Sequence, residues 1–173
     1  MTILNIKLMP DPVLRMKAES VKLPSEEVNN IFNDMADTMY DAPGIGLAAN
    51  QVGILKRLIV MDCSIEEEEP KLWKMINPEI VSVSIEKEEL EEGCLSIPEH
   101  KSAVVRPKEV VVEFINISGQ KETLEAKGLL AACVQHEIDH LNGILFIDHI
   151  SRLKRDIIVR KVKKLARENK DGK

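Results

Sequence analysis

The segment His136-Glu137-Ile138-Asp139-His140 has the residue types and the spacing of a hydrolytic metal site. Two histidines at positions i and i+4 of a helix lie on one face, where their imidazoles can bind a single metal ion. Glu137 would then lie beside the open position of the metal, where its carboxylate can take a proton from water. The pattern predicts a metal-dependent hydrolase, although two core histidines bonded to backbone carbonyls would also fit it.

A third metal ligand is needed, because catalytic zinc-type centres use about three protein ligands and leave one position for water. The metzincin peptidases have a further histidine where this chain has Phe146, which excludes that class. Glu168 lies in a basic terminal segment, a poor place for a buried ligand. His149 is available but stands outside any recognised motif.

Two cysteines are further candidates for the third ligand. Cys133 shares a helix with His136, but a metal between the two histidines would lie one to two turns from its Cα, beyond the reach of its side chain. Cys94 stands between Gly93, which frees the backbone, and Pro98, which stiffens it. A thiolate is a strong metal ligand without a second cysteine. From these residues alone, Cys94 is either a ligand or an ordinary buried cysteine.

The elements that must position these residues indicate an α+β fold, with small antiparallel sheets around a central buried helix and a helix at the C-terminal surface. The central helix is predicted over residues 129–142, where apolar side chains leave almost no polar face. Burying its polar groups without partners would cost roughly several kcal/mol, so a metal is their natural common partner. These groups are Gln135, His136, Glu137, Asp139 and His140.

Periodicity predicts the other elements. An amphipathic helix is expected over residues 25–41 behind a Ser25 cap, and a third helix over 151–168. The apolar stripe of that third helix is predicted from Leu153, Ile157, Ile158, Lys161 and Leu165. Short strands are predicted at 58–61, 80–85, 103–105, 110–117 and 122–126, with a hairpin turn at 118–120. The glycine-rich segment 44–53 predicts that another group approaches its backbone closely.

Composition bounds the class of protein. A chain of 173 residues that is 44% hydrophobic suffices for one well-buried core, so residues 1–173 are expected to form a single domain. Apolar runs fall short of the roughly 20 residues of a membrane span, and the start lacks a signal peptide's apolar segment. Three irregularly spaced cysteines favour a reducing compartment. We therefore expect a cytoplasmic protein without membrane contact.

Charge is unevenly distributed along the chain. Residues 151–173 hold 10 of the 24 Lys and Arg but 3 of the 29 Asp and Glu. This basic C-terminal helix and tail is either a solvated helix face or a contact for an anionic surface such as RNA. No sequence-specific binding of nucleic acid is expected.

Three segments, GIGLAANQ at 44–51, EGCLSIP at 92–98 and QHEIDHLNG at 135–143, resemble in order and spacing the three signature motifs of peptide deformylases. The resemblance extends over essentially the whole chain. It implies an enzyme that removes the N-formyl group from the initiator N-formylmethionine of nascent polypeptides and releases formate. It also implies Cys94, His136 and His140 as metal ligands, with Glu137 as the group that moves the proton.

The same resemblance implies the remaining site residues. The Gln51 side chain and the Leu95 backbone N–H are placed at the developing oxyanion. The Ile45-Gly46 backbone becomes a strand-like partner for the substrate peptide. Further substrate contacts are implied for Glu92, Gly93, Lys101, Ala132 and Cys133. The family commonly has a larger aliphatic residue at 132 and arginine at 101, so this chain is expected to have a roomier methionine pocket and to lack bidentate contacts from position 101.

The resemblance further implies one divalent metal ion, ferrous iron in the cell, with zinc, nickel or cobalt also accepted. It implies docking on the ribosome through the basic terminal helix. Two other hypotheses remain. An H-E-x-x-H metallopeptidase would need His149 or Glu168 as its third ligand. A catalytically silent ribosome-docking homologue would be expected to have lost some motif residues, yet each one needed for chemistry is occupied.

Overall fold

A computed structural model of the protein describes residues 2–64 and 69–171, with residues 169–171 described by their backbone alone. Most of the acidic run at 66–69, which the sequence indicates as an exposed loop, lies outside these ranges, as do the last two residues of the predicted basic tail. Across the described ranges, no helix combines the length and the apolar character needed to cross a lipid bilayer.

The described residues contain three α-helices, all of them predicted. Helix α1 spans Glu26–Asp41, α2 spans Gly128–Leu141 and α3 spans Arg152–Asp171. The hydroxyl of Ser25 accepts a hydrogen bond from the Val28 N–H at 3.2 Å, which satisfies one of the free donors at the start of α1. Helix α3 continues three residues beyond its predicted end.

The strands form a five-stranded antiparallel sheet and a separate two-stranded hairpin. The sheet has the order β1-β2-β3-β6-β7, and the hairpin consists of β4 and β5. In chain order the strands are β1 Gly46–Ala48, β2 Leu58–Met61, β3 Trp73–Val83, β4 Lys87–Cys94, β5 Ile97–Pro107, β6 Glu109–Ile115 and β7 Lys121–Lys127. The predicted α+β architecture is confirmed.

Two strands, β1 and β4, were not predicted from the sequence, and both help to form the site. Strand β1 is only three residues long and follows a glycine-rich turn, so it has no β-branched run to mark it. Strand β4 is rich in lysine and glutamate, residues that are depleted in strands. It forms because it pairs along its length with β5, which extends well beyond its predicted core at 103–105.

Strand β2 is buried on both faces, and one of these faces packs against α2 and helps to enclose it. Successive side chains of a strand point to opposite sides. Leu58 and Val60 accordingly belong to the cluster that packs on α1, whereas Ile59 and Met61 belong to the cluster that contains Val134 and other residues of α2. The predicted burial of α2 on nearly all sides is confirmed: ten of its fourteen residues are buried.

The predicted apolar stripe of α3 is wrong in part. Ile158 and Val162 are buried, whereas Leu153 is 72% exposed and Ile157 and Leu165 are 44% and 46% exposed. One residue along a helix turns the side chain by about 100°, so Ile157 and Ile158 cannot both face the narrow surface beneath α3. That surface includes the 3-10 helix Phe146–His149.

Candidate metal centre and active site

Three predicted metal ligands converge at the centre of the fold. Cys94 ends β4 at the tight turn into β5, and the two histidines lie one turn apart on α2. His140 Nε2 lies 3.1 Å from His136 Nε2 and 3.3 Å from Cys94 Sγ. Their ligand atoms all lie within 4.8 Å of one another. The hairpin and the central helix thus bring together residues that are distant in the sequence.

The donor set suits a divalent transition-metal ion. A thiol and two imidazole nitrogens are the ligands that zinc and ferrous iron accept. Burial holds the pKa of His140 well below its usual range, which keeps the imidazole neutral and its lone pair available. Convergence of these three groups on one point fits a bound metal better than it fits two core histidines satisfied by backbone carbonyls.

Glu137 is a buried carboxylate beside this cluster. Its Oε2 has no hydrogen-bond partner among the described residues, and burial raises its pKa to about 7. A Cβ atom at position 46 would overlap the Glu137 carboxylate and press on the Cys133 sulfur. Glycine is therefore required at position 46, because the carboxylate fills the space that a side chain would take. Glu137 lines the cavity, where it can meet a polar ligand.

Gln51 is held in a fixed orientation by its neighbours. It lies in the 3-10 helix Ala49–Val52, where its Oε1 accepts a hydrogen bond from the Ala48 N–H at 2.9 Å. Its Nε2 donates to Ser96 Oγ at 3.2 Å and points toward Cys94 Sγ at 3.5 Å. The amide nitrogen is thus directed at the ligand cluster.

Ser96 is a residue that the sequence reasoning missed. It is fully buried, and its hydroxyl is the oxygen partner of the Gln51 amide nitrogen. Its backbone carbonyl accepts a hydrogen bond from the Met9 N–H at 2.9 Å, while the Gln51 carbonyl accepts one from Lys7 at 2.7 Å. The available signal was its place in the EGCLSIP segment, two residues after Cys94. The N-terminal segment thus ties the backbones of Gln51 and Ser96 together.

Glu92 was predicted to contact substrate. It lines the cavity, but its carboxylate accepts two hydrogen bonds from Arg106, at 2.5 and 3.0 Å, and its Oε2 lies 3.0 Å from His136 Nδ1. Burial alone would raise the pKa of Glu92, but the contacts with His136 and Arg106 outweigh it and lower that pKa to about 2. An anionic partner at Nδ1 fixes the imidazole so that Nε2 faces the other ligands.

The sequence leaves two roles open for Asp139, which could orient a ligand histidine or pair with Arg106. The structure decides between them. The Asp139 Oδ2 accepts a hydrogen bond from Arg106 Nη1 at 2.9 Å and lies 2.7 Å from His149 Nε2. Asp139 therefore pairs with Arg106, and Arg106 joins it to Glu92. His149 contacts Asp139 and is not part of the ligand cluster, nor is Glu168, which lies 3.8 Å from Lys164 on α3.

Replacing Arg106 is expected to destabilise the protein. Arg106→Met would leave Glu92 buried with an uncompensated charge, and breaking a buried ion pair in this way costs roughly 3–5 kcal/mol. The free energy of unfolding, measured by urea denaturation of the metal-loaded protein, tests this. Arg152→Met is the matched control, since that arginine is 87% exposed. An equal loss in both variants would contradict the prediction.

An open cavity of about 720 Å³ lies against the cluster. All the residues predicted to contact substrate line it, and Lys101 stands at its mouth with an exposed side chain 3.8 Å from Glu91. Strand β1 is an edge strand of the five-stranded sheet, paired on one side with β2. The lining residues from the prediction are Ile45, Gly46, Gln51, Glu92, Gly93, Cys94, Leu95, Lys101, Ala132, Cys133, His136 and Glu137.

Two imidazoles and a thiol around one point, a buried carboxylate beside them and a cavity open to substrate define a metal-dependent hydrolase. The model of the family described as polypeptide deformylase matches residues 3–156. The chain belongs to this family of enzymes, as its three motifs predicted.

Relatives of known name agree over nearly the whole chain. The chain is 52% identical to the peptide deformylase of Agrobacterium fabrum, over 96% of this chain and 98% of the relative. It is 50% identical to the peptide deformylase of Rhizobium meliloti, over 96% of each chain. A peptide deformylase structure from Ehrlichia chaffeensis, 39% identical, superposes with a TM-score of 0.92 over 97% of this chain and 99% of the other. A second structure from that organism, in complex with actinonin, has a TM-score of 0.89 at 42% identity, over 95% and 98% of the two chains.

Proposed function

We propose that this protein removes the N-formyl group from the initiator N-formylmethionine of nascent polypeptides and releases formate. The observation that carries the proposal is the buried Glu137 carboxylate, which lacks a hydrogen-bond partner among the described residues and lies beside three convergent ligand atoms at an open cavity. Membership of the deformylase family supports the choice of substrate. The proposed place of action is the cytoplasm, where nascent chains begin.

Cys94, His136 and His140 would hold one divalent ion, and we propose Fe²⁺ as the ion in the cell, with Zn²⁺, Ni²⁺ or Co²⁺ as possible substitutes. Such an ion, when bound, supplies Lewis-acid polarisation of the formyl carbonyl and lowers the pKa of water. The Glu92 carboxylate holds His136 in the orientation that the ligand set requires.

The chain's own residues would perform the remaining work. Glu137 takes a proton from the attacking water and passes it to the nitrogen of the departing amine, so that formate and a free amino terminus result. The Gln51 amide and the Leu95 backbone N–H donate to the oxygen that becomes negative in the tetrahedral transition state. Because Ser96 and Ala48 hold the Gln51 amide in place, this donor does not need to reorient during the reaction.

The peptide is proposed to lie along the free edge of β1. An extended chain can add to an exposed sheet edge through main-chain hydrogen bonds. Ile45 and Gly46 supply that edge, while Ala132 and Cys133 on α2 line the pocket for the methionine side chain. Gly93 and Lys101 lie on the opposite hairpin, so the substrate would pass between the hairpin and the sheet.

The function is tested by comparing formyl-Met-Ala-Ser with Met-Ala-Ser as substrates of the metal-loaded protein. We expect release of formate from the first peptide and no cleavage of the second. Cleavage of peptide bonds in the unformylated peptide would instead favour a metallopeptidase. That alternative is disfavoured because its two candidate third ligands, His149 and Glu168, lie outside the ligand cluster. Metal-loaded protein that processes neither peptide would favour the catalytically silent homologue.

Ser96→Ala is expected to lower kcat roughly 10-fold with a smaller change in KM. Removing an oxyanion donor outright costs about 10²–10³ in kcat, and Ser96 acts only by orienting that donor. Formate release under saturating substrate measures the effect. Ser102→Ala, on the same hairpin, is the control. If Ser96→Ala kept the parent kcat while metal content stayed the same, the orienting role would be disproved.

We further propose that the basic face of α3 docks on ribosomal RNA. Exposed lysines at 161, 163 and 164 lie on a helix that carries eight Lys and Arg over residues 152–168 against two acidic residues, Asp156 and Glu168. Replacing all three by glutamate is expected to weaken co-sedimentation with ribosomes at low salt while turnover of formyl-Met-Ala-Ser stays unchanged. A triple reversal at the exposed lysines 17, 22 and 87 is the matched control. Equal co-sedimentation of both triple variants would refute the proposal.

A further inference from the structure

One residue, Asp62, holds both ends of the turn that leads into β1. The turn covers residues 42–45, between the end of α1 at Asp41 and the start of β1 at Gly46. Residues 43–46 line the cavity, so this turn forms part of the proposed substrate site. Asp62 directly follows β2 and contacts the chain on each side of the turn.

On the strand side, the backbone of Asp62 sets the direction of the β1 edge. Its N–H donates to the Ile45 carbonyl at 2.9 Å, which continues the pairing of β1 with β2 by one residue. Hydrogen-bonded and non-hydrogen-bonded pairs alternate along antiparallel strands. Gly46, which is paired with Met61, therefore belongs to a non-hydrogen-bonded pair, and its N–H and C=O are directed away from β2. They face the free edge, where a peptide would meet them.

On the helix side, the carboxylate of Asp62 is bound to the last turn of α1. Its Oδ2 accepts a hydrogen bond from the Tyr40 hydroxyl at 2.7 Å. Its Oδ1 accepts hydrogen bonds from the Ser64 hydroxyl at 2.6 Å, the Ser64 N–H at 3.0 Å and the Lys71 N–H at 3.4 Å. Burial would raise the pKa of Asp62, but the hydrogen bonds from Ser64 and Tyr40 outweigh it and lower that pKa. Asp62 is thus an anion with a donor at each oxygen.

The turn itself is attached to α1 rather than to the sheet before it reaches Ile45. The Ala42 and Gly44 N–H groups donate to carbonyls in the last turn of α1 at 3.1 and 2.9 Å. These bonds make the turn follow the end of the helix. The bond from Tyr40 to Asp62 then fixes that helix end against the residue that also holds the Ile45 carbonyl.

We propose that Asp62 and Tyr40 are positioning residues, which hold the β1 edge in the orientation that receives the substrate peptide. Neither residue lines the cavity or belongs to the ligand cluster, so both act through Ile45 and Gly46. The effect on substrate rests on the proposed function, because it concerns the peptide that would pair with this edge. The fixing of the edge does not rest on it.

Tyr40→Phe tests the role, because it removes one hydroxyl and keeps the ring. In the metal-loaded protein we expect faster amide hydrogen exchange over residues 42–48, since the turn and the edge are held less firmly. KM for formyl-Met-Ala-Ser should rise several-fold, while kcat and metal content stay close to parental. Formyl-Met has no peptide chain beyond its first residue, so its KM should rise less.

Ser64→Ala is the matched control. It removes a hydroxyl from the same carboxylate but leaves two backbone donors at Oδ1 and the bond from Tyr40 in place, so exchange and KM should be parental. Parental exchange over residues 42–48 in Tyr40→Phe, or equal changes in both variants, would overturn the positioning role. Faster exchange with a parental KM would overturn its effect on substrate. A parent protein that releases no formate would refute the proposed function instead, and the exchange rates would still decide whether the Tyr40 hydroxyl fixes the edge.

Discussion

Glu137→Gln is expected to lower kcat for formyl-Met-Ala-Ser by roughly 10²–10⁴-fold, the usual contribution of a general acid–base group, while the protein keeps its metal. An amide of nearly the same size cannot accept the proton of water or deliver it to the departing amine. Glutamine is the appropriate replacement because the side chain fills the space beneath Gly46, where a larger residue would clash and a smaller one would leave a cavity.

Elemental analysis measures whether the variant keeps its metal. Formate release under saturating substrate measures its kcat. Glu91→Gln is the matched control, because Glu91 lines the same cavity with an exposed side chain and has no place in the proposed chemistry. A Glu137→Gln protein that binds metal and turns over within a few-fold of the parent would show that another group moves the proton.

The part of the site on α2 could be predicted from the residues alone. An apolar helix that carries two histidines at i and i+4 must bury them, and burial without partners is costly. Cys94 could not be placed in the same way, because it lies on β4, an acidic segment that does not have the composition of a strand. Only the likeness of the three motifs to a known family pointed to it, and the hairpin then places its sulfur 3.3 Å from His140.

The supporting contacts were beyond prediction for a different reason. Glu92 and Arg106 lie on paired strands, but which charges meet depends on the register and on the position of α2 beneath them. The sequence offered Arg106 as one of two partners for Asp139 and gave no sign that Glu92 completes the group. The hydrogen bond between Ser96 and Gln51 could not be predicted either, because a serine in a turn belongs to no repeating pattern that would indicate its partner.

Periodicity also identified α3 without fixing its orientation. Its apolar residues occur on more than one side, so the helix was predicted correctly while the buried face was not. Ile158 and Val162 face the fold because the neighbouring 3-10 helix offers them a narrow apolar surface. Exposed Leu153 and Ile157 lie beside the basic side chains, on the face proposed to meet the ribosome.

Cys94→Ala is expected to weaken metal binding by more than roughly 100-fold, the upper range for removing a group that merely supports a ligand. The variant removes one of three donors and leaves only the two imidazoles to hold the ion. Formate release should fall in proportion to the metal lost, and excess metal should restore only part of it, because the Cys94 sulfur also contacts Gln51.

Cys133→Ala separates a ligand from a mere neighbour. It removes a second buried thiol near His136, but its sulfur contacts the Ile45 carbonyl and takes no part in the ligand cluster. Competition with a chromophoric chelator should therefore show parental metal affinity for Cys133→Ala and a large loss for Cys94→Ala. Equal affinities in the two variants would mean that the thiolate of Cys94 does not bind the metal. The two histidines would then need their third partner from water or substrate, because His149 is already engaged by Asp139.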